Sequence, residues 1–285
     1  MSKFGILGWP LERSYSPIIY NYLSNSVHSG GTYELLKHKE INRSTIKEIN
    51  QKFSAYNVTI PHKENITNLM PNAASAAVVK DCGAANLVLN YSWGSYLDNT
   101  DAFGFVHFLG INGYSKGLTH ADRIKNKKIV ILGNGGSAKG ISWGLQRLNG
   151  CNDISIVSRV KSKSTITYEE LNEITEEVDL LINATPVGMP SYEKVKLDID
   201  YKRFKNLDLL INLGYGKNNS FLKRFPRKIP KYDGLGMLIC QAVESFNAMG
   251  HPDLIGQEFE RNNEQDVSAM DVYEDILELL EKQHD

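Results

Sequence analysis

Three polar clusters in the first half of the sequence carry side chains that suit a polyhydroxylated carboxylate. The clusters are Ser14-Tyr15-Ser16, residues 57–63 and Asn99-Thr100-Asp101. Each lies where a strand is predicted to end and a loop to begin, the usual position of ligand-binding groups in α/β sheets. Every oxygen of such a ligand needs a hydrogen-bond partner once it leaves water, and these clusters supply hydroxyls, an amide, a lysine and an aspartate.

Each of these residues also has a purely structural interpretation when it is taken alone. Ser16 precedes Pro17 and can cap a helix, Asp101 can cap the next predicted helix, and Asn57 can occupy a turn. The residue types therefore leave both interpretations open for each position.

A glycine-rich turn provides the second chemical signal. The run Gly133-Asn134-Gly135-Gly136-Ser137-Ala138 directly follows an apolar strand predicted at residues 128–132 and precedes a helical stretch. In that context glycines let backbone N–H groups approach a pyrophosphate, while the helix amino terminus supplies positive potential. An ordinary strand-to-helix turn is the alternative, and we predict a dinucleotide site.

The end of the next predicted strand indicates which dinucleotide is bound. An acidic residue there would accept hydrogen bonds from a free 2′-hydroxyl group and favour NAD. The strand instead ends in Ser158-Arg159, and Lys161 and Lys163 follow. Arg159 can pair with a 2′-phosphate to which Ser158 donates a hydrogen bond, so this pattern favours NADP over NAD. A solvated basic loop is the alternative.

Hydrophobic runs place these features in two successive α/β series. The first has predicted strands at residues 3–8, 33–36, 56–60, 84–89 and 94–97, and predicted helices at 17–23, 41–53, 73–79 and 101–109. The second has predicted strands at residues 128–132, 154–157, 179–182 and 207–213, with helices between them and closing helices at 235–249 and 271–280. Alternating strands and helices of this kind are typical of a doubly wound sheet.

The predicted fold class is α/β, with an N-terminal α/β substrate domain plus a Rossmann-type, doubly wound dinucleotide-binding domain. We assign residues 1–100 to the substrate-binding and catalytic domain and expect the C-terminal helices, at about 238–285, to complete it. Residues 101–237 form the predicted NADP-binding Rossmann domain. The stretch between residues 110 and 128 is rich in Gly, Asn, Ser and Lys, and it marks the start of the second series.

Composition narrows the function classes. The 285 residues are 41% hydrophobic, which is enough apolar material for one large domain or two ordinary ones. A formal net charge of -1 offers no global field to attract nucleic acid or an anionic membrane. The cysteines and histidines show no paired or ligand spacing, so we expect no metal. No signal peptide or membrane-length apolar run is evident, and we expect a cytoplasmic protein.

These motifs, in this order, resemble the shikimate dehydrogenase family, which includes shikimate and quinate dehydrogenases. The resemblance runs nearly end to end. Besides the polar clusters and the glycine-rich turn, it rests on Gly8-Trp9-Pro10, Ala85-Asn86, Ala102-Phe103-Gly104, Asn183-Ala184-Thr185-Pro186-Val187-Gly188-Met189 and Asp233-Gly234-Leu235-Gly236-Met237-Leu238 with Gln241. The resemblance implies the NADPH-dependent, reversible reduction of 3-dehydroshikimate to shikimate in aromatic amino acid biosynthesis.

The resemblance also implies a role for each matching residue. Lys63 and Asp101 would be the catalytic pair. The substrate would be bound through its carboxylate by Ser14 and Ser16, through its ring hydroxyls by Thr59, Asn86 and Gln241, and by Tyr215. Along the cofactor, Asn134 and Ser137 would lie by the pyrophosphate, and Gly214 and Met237 would face the nicotinamide.

The chemistry of carbonyl reduction supports the implied catalytic pair independently. Negative charge develops on the carbonyl oxygen as hydride arrives, so a cationic donor at that oxygen stabilises the transition state and can deliver the proton. Lys63 can do both, and Asp101 would hold its ammonium and a neighbouring substrate hydroxyl in place. We expect a small-molecule substrate and a monomer or homodimer.

Four positions depart from the family pattern: Arg13 replaces a histidine, Leu87 a threonine after Asn86, Ser158 an asparagine before Arg159, and Val160 a threonine after Arg159. Two alternatives therefore stay open, a quinate or broad-specificity quinate/shikimate dehydrogenase and a non-catalytic metabolite-binding homologue. A tetrahydrofolate dehydrogenase could also use a lysine and an aspartate, but a pterin explains the Ser14 and Ser16 hydroxyls poorly.

Overall fold

The structure is a computed structural model that describes residues 2–12, 14–26, 30–114, 123–189, 192, 194–216, 219–250 and 267–283. The chain divides into two compact units. The first unit comprises Met1–Gly104 and Ile239–Gln283, and the second comprises Phe105–Leu238. The first unit is therefore built from two separate stretches of the sequence.

Strands and helices alternate along the chain, and we number each kind in chain order. The strands are β1 Lys3–Gly8, β2 Thr32–Lys37, β3 Ala55–Val58, β4 Ala74–Ser75, β5 Leu87–Tyr91, β6 Gly94–Asp98, β7 Ile129–Leu132, β8 Ile154–Val157, β9 Leu180–Asn183, β10 Leu209–Asn212 and β11 Lys231–Tyr232. The helices are α1 Ser16–Ser26, α2 Arg43–Lys52, α3 Asn65–Leu69, α4 Ala77–Cys82, α5 Thr100–Ile111, α6 Gly136–Arg147, α7 Tyr168–Ile174, α8 Leu235–Gly250 and α9 Ala269–Lys282. In the described part of the chain, none of these helices combines the length and apolarity needed to cross a bilayer.

The first unit contains a mixed sheet with strand order β2-β1-β3-β5-β6-β4. Strand β1 runs parallel to both β2 and β3, whereas β5 pairs antiparallel with β3 and β6. From Phe4 to Gly8, β1 is buried, as expected of a central strand that is covered on both faces. One cluster of core side chains draws on β1, α1, β3, β5 and α8, and it includes Leu87, Ala248 and Met249.

The second unit contains a parallel sheet with strand order β11-β10-β9-β7-β8. Strands β7, β9 and β10 are short apolar runs that are buried along their whole length. The order reverses at β7, because β8 lies on one side of it and β9 on the other. A reversal of this kind leaves a crevice at the carboxyl ends of the strands, where doubly wound sheets bind ligands. The predicted α/β class is confirmed.

Two predicted elements of the first unit are wrong in detail. Residues 73–79 were expected to form a helix, but Ala74 and Ser75 form strand β4 beside β6, and α4 begins only at Ala77. The predicted strand at residues 84–89 begins at Leu87 instead, because the Ala85 N–H donates to the Lys63 carbonyl at 2.8 Å. In both cases a partner distant in sequence overrides the local pattern.

A close approach of α5 to α8 decides the packing around the first unit's polar residues. A Cβ atom placed on Gly104 would lie 2.5 Å from the Cα and N atoms of Gln241, which is closer than real Cβ contacts come. Glycine therefore lets the backbones of the two helices meet here. This contact brings the side chain of Gln241 to the start of α5.

We predict that Gly104→Ala destabilises the protein by about 1–3 kcal/mol, because the new methyl group forces two packed backbones apart. Urea titration followed by circular dichroism measures the change. Gly30→Ala is the matched control, since no described atom lies within 4 Å of a Cβ at Gly30, and its effect should stay within about 0.5 kcal/mol. Equal midpoints for the two variants would contradict the prediction.

Candidate functional site

The structure brings Lys63 and Asp101 into direct contact. The Lys63 Nζ atom lies 2.5 Å from Asp101 Oδ2, although the residues are 38 positions apart in sequence. The side chains are only 13% and 4% exposed, respectively. Two opposite charges that are this deeply buried stabilise each other, because removing either partner leaves an unpaired charge in a poorly solvating environment. The expected convergence of the predicted catalytic pair is therefore observed.

The loop after β3 holds Lys63 in place through its backbone and its neighbour. The Lys63 carbonyl accepts a hydrogen bond from the Ala85 N–H. His62 is buried, and its Nε2 atom lies 2.7 Å from the His38 carbonyl oxygen. His62 thus connects this loop to the residue that follows β2.

Asn86 and the first turn of α5 hold Asp101 from the other side. The Asn86 Nδ2 atom donates to Asp101 Oδ1 at 2.9 Å, and Asn86 Oδ1 accepts from the Thr100 N–H at 2.7 Å. Asn99 caps helix α5, because its Oδ1 atom accepts a hydrogen bond from the Asp101 N–H at 3.2 Å. The structural interpretation of Asp101 as an N-cap is therefore wrong, and its carboxylate serves Lys63 and Asn86.

Gln241 of α8 completes the polar surroundings of Asn86. Its Oε1 atom lies 3.3 Å from Asn86 Nδ2 and 3.5 Å from Thr100 Oγ1. Thr59 follows β3, where its N–H donates to the Leu7 carbonyl and its side chain is half-buried. Gln241, Asn86 and Asp101 thus form one cluster in the first unit.

Ser14 and Ser16 lie at the start of α1. The Ser14 Oγ atom accepts weakly from the Ser16 N–H at 3.4 Å, so Ser14 and not Ser16 supplies the capping oxygen. Ser16 is buried, and it lines a recess shared with Tyr33, Asn57 and Gln241. Two residues with predicted substrate contacts, Ser16 and Gln241, therefore open on the same recess.

Asn57 lies in strand β3 and not in a turn. Its Oδ1 accepts from the Tyr33 hydroxyl at 2.8 Å, and its Nδ2 donates to Ser245 Oγ at the same distance. Burial raises the pKa of Tyr33 well above its ordinary value, which keeps the hydroxyl protonated and able to donate. No role was predicted for Tyr33 or Ser245 from the sequence.

In the second unit, the glycine-rich turn has the shape that the fingerprint predicts. Gly133 follows β7 with a φ of 101°, a left-handed conformation that favours glycine, and Gly135 is the N-cap of α6. No described atom lies within 4 Å of a Cβ position at Gly135, so the backbone is open to a ligand there. The turn and the helix amino terminus fit a pyrophosphate.

The basic residues after β8 differ in how they are engaged. Arg159 is exposed, directly after Ser158 at the end of the strand. Lys161 forms an ion pair with Glu170, the capping-box glutamate of α7, and this contact lowers the pKa of Glu170. Because Lys161 already has an anionic partner, Arg159 is the better candidate for a 2′-phosphate.

A ladder of buried asparagines connects the loops after β9 and β10, and no structural role was predicted for it from the sequence. Asn183 Nδ2 donates to Asn212 Oδ1 at 2.7 Å, and Asn212 Nδ2 donates to Asn219 Oδ1 at 2.8 Å. Asn219 Nδ2 then donates to the Gly214 carbonyl at 3.0 Å, which fixes the segment that leads to Tyr215. Two of these asparagines end strands in the motif Leu-Ile-Asn, a signal that could have been read as a polar group at a strand end.

Other predicted positions are placed as follows. Met237 is buried in α8, and Leu87 packs in the hydrophobic core of the first unit. Arg13 lies outside the described residues. Within the part of the chain that the structure describes, no group of three acidic, histidine or cysteine side chains is placed to hold a metal ion.

Comparisons with known proteins agree with this arrangement. Residues 6–88 match the family model for the shikimate dehydrogenase substrate binding domain. A shikimate dehydrogenase (NADP(+)) from Staphylococcus epidermidis is 30% identical over 258 residues, which cover 86% of this chain and 90% of that protein. The chain belongs to the shikimate dehydrogenase family. The predicted family is confirmed.

Two further likenesses cover most of the chain. A shikimate dehydrogenase (NADP(+)) from Staphylococcus aureus is 30% identical over 267 residues, covering 88% of this chain and 93% of that one. The crystal structure of shikimate dehydrogenase 1 from Peptoclostridium difficile superposes with a TM-score of 0.77 at 27% identity and covers 98% of both chains. The shikimate dehydrogenase from Peptoclostridium difficile thus shares the fold found here.

We predict that Lys63→Met and Asp101→Asn each lower the free energy of unfolding, and that the double variant loses less than the sum of the two. Breaking a buried pair leaves one uncompensated charge and costs about 3–5 kcal/mol, whereas replacing both partners is often close to neutral. The lysine is partly exposed here, so the lower end of that range applies. Urea titrations of all four proteins give the coupling energy, and strictly additive losses would contradict a mutually dependent pair.

Proposed function

We propose that this protein catalyses the NADPH-dependent, reversible reduction of 3-dehydroshikimate to shikimate. The observation that carries the proposal is the buried contact between Lys63 and Asp101, with Asn86 on the second carboxylate oxygen. The curated relatives named above are NADP(+)-dependent shikimate dehydrogenases, which supports the same reaction. Such an enzyme would act in the cytoplasm, in aromatic amino acid biosynthesis, as a monomer or homodimer.

In the reduction, Lys63 acts at the carbonyl oxygen. As negative charge develops there, the ammonium stabilises it and then transfers one proton, so the carbonyl becomes an alcohol. In the reverse direction the neutral amine accepts the proton from the substrate hydroxyl. Asp101 keeps the ammonium in position through the 2.5 Å contact, and Asn86 keeps the carboxylate from rotating away.

The remaining first-unit residues suit the rest of the substrate. Ser14 and Ser16, at the amino terminus of α1, would bind the carboxylate, because hydroxyl donors and the positive end of a helix both favour an anion. Thr59, Asn86 and Gln241 would bind the ring hydroxyls, and Tyr215 would also contact the substrate. Asn86 and Gln241 are in contact with each other, so together they can bind neighbouring hydroxyl groups of the substrate ring.

The second unit suits NADPH, which supplies the hydride when bound. Gly133, Asn134, Gly135, Gly136, Ser137 and Ala138 would hold the pyrophosphate, and Gly214 and Met237 would lie at the nicotinamide. Arg159, with Ser158 beside it and Lys161 at the rim, would bind the 2′-phosphate. The planar guanidinium pairs with phosphate through two parallel hydrogen bonds, which a ribose hydroxyl cannot match.

We expect measurable oxidation of shikimate with NADP, and faster turnover than with quinate or with NAD. A spectrophotometric panel of both substrates against both cofactors checks this.

Lys63→Met should reduce kcat by about 10²–10⁴-fold, the usual contribution of general acid–base catalysis. Its dissociation constant for NADPH should stay unchanged in fluorescence titration. Faster turnover of quinate would identify a quinate dehydrogenase, and an unchanged kcat in Lys63→Met would reject the role of the lysine.

We also expect Arg159→Ala to raise the KM for NADPH at least about tenfold, since one charge-assisted contact is worth roughly 1.5–3 kcal/mol. The KM for NADH should change little, because NADH lacks the extra phosphate. Lys161→Ala is the matched control on the same loop, and its smaller effect would reflect its pairing with Glu170. Equal changes for both cofactors in Arg159→Ala would remove the basis for NADP preference.

A further inference from the structure

A series of hydrogen bonds in the first unit leads from strand β2 to the catalytic carboxylate. It starts at the Tyr33 hydroxyl, which donates to Asn57 Oδ1 at 2.8 Å. Because that oxygen is occupied, the Asn57 amide presents its Nδ2 atom to Ser245 Oγ, again at 2.8 Å. The same nitrogen also reaches the Asn86 carbonyl oxygen at 3.3 Å. The orientation of the Asn57 amide is therefore determined on both sides.

The series continues from α8 into α5. Ser245 Oγ lies 2.9 Å from Thr100 Oγ1, and either hydroxyl could donate. Thr100 Oγ1 lies 3.2 Å from Asn86 Oδ1, and Asn86 Nδ2 lies 2.9 Å from Asp101 Oδ1. Asn86 Nδ2 also lies 2.9 Å from Thr100 Oγ1, so this hydroxyl contacts both polar atoms of the Asn86 amide. Thr100 therefore connects Ser245 to Asn86, the last link before Asp101.

The residues of this series are deeply buried, so each hydrogen bond in it matters. Ser245, Thr100, Asn86 and Asp101 are each no more than 3% exposed, so water does not substitute for a missing partner. Hydrogen bonds that are connected in a poorly solvating interior polarise one another. Asn86 Oδ1 accepts from the Thr100 N–H, so the Asn86 Nδ2 atom is directed at the carboxylate, and the opposite amide orientation would set two oxygens against each other.

We propose that Ser245 and Tyr33 are positioning residues of the reaction: through Asn57 and Thr100 they orient Asn86, and thereby hold Asp101 for Lys63. Neither residue needs to touch the substrate for this. The proposal rests on the proposed function, since it assigns these residues to the same reaction. It also gives the C-terminal stretch of the first unit a part in the chemistry beyond that of Gln241.

The test compares Ser245→Ala, Ser245→Thr and Tyr33→Phe in the full-length protein with shikimate and NADP. Loss of one hydrogen bond of about 0.5–1.5 kcal/mol should lower kcat about 3- to 10-fold in Ser245→Ala, with the KM for NADP unchanged. Ser245→Thr retains the hydroxyl and should recover most of kcat. Ser24→Ala is the matched control, because Ser24 is also a buried serine in a helix of the first unit, and its kcat should equal that of the parent.

The double variant distinguishes positioning from general loosening of the core. If Tyr33 and Ser245 act through one series of bonds, Tyr33→Phe should lower kcat about threefold alone and add little to Ser245→Ala. Multiplicative effects, or an unchanged kcat in Ser245→Ala, would overturn the proposal. Should Ser245→Ala fail to fold, an unchanged kcat in Tyr33→Phe would overturn it instead. A parent protein that is inactive towards shikimate and quinate would reject the proposed function and this inference together, whereas an active parent with active variants rejects this inference alone.

Discussion

The first unit is organised around an ammonium and a carboxylate that are held almost out of water. Such a pair is stable only when its geometry is good and every remaining polar atom has a partner. The structure meets both conditions with residues that are distant in sequence: Lys63 from the loop after β3, Asp101 from the start of α5, and Asn86 from the segment before β5. The mixed sheet is the framework that brings these three segments to one place.

The same constraint explains why the first unit needs residues from the end of α8. Gln241 and Ser245 lie four positions apart, on one face of this helix, and both contact Thr100. Their approach is possible because Gly104 has no side chain to hold the helices apart. A steric contact between two backbones thus determines the polar geometry of the site.

Much of the site could be predicted from residue type and context, and the remainder depended on tertiary pairing. The glycine-rich turn and the polar residues at strand ends could be recognised in the sequence, because both features follow from local geometry. The capping of α5 by Asn99, the strand at Ala74 and the burial of Leu87 were not, since each depends on a neighbour far away in sequence. Ser245 carried a usable signal: a hydroxyl residue one helical turn after Gln241, on the same face of α8. Tyr33 carried none, because an aromatic residue in an edge strand is ordinary.

The discontinuity of the first unit has a consequence for the order of events during synthesis. Chains emerge from the ribosome amino terminus first, and compact units fold as they become complete. The second unit is a single stretch of sequence, whereas the first must wait for residues 239–250 before Asn57, Thr100 and Asn86 have all their partners. A nascent chain that ends before this point would have a nearly complete sheet, but its polar centre would still be exposed to water. Such a chain would not yet be able to carry out the reaction of the completed protein.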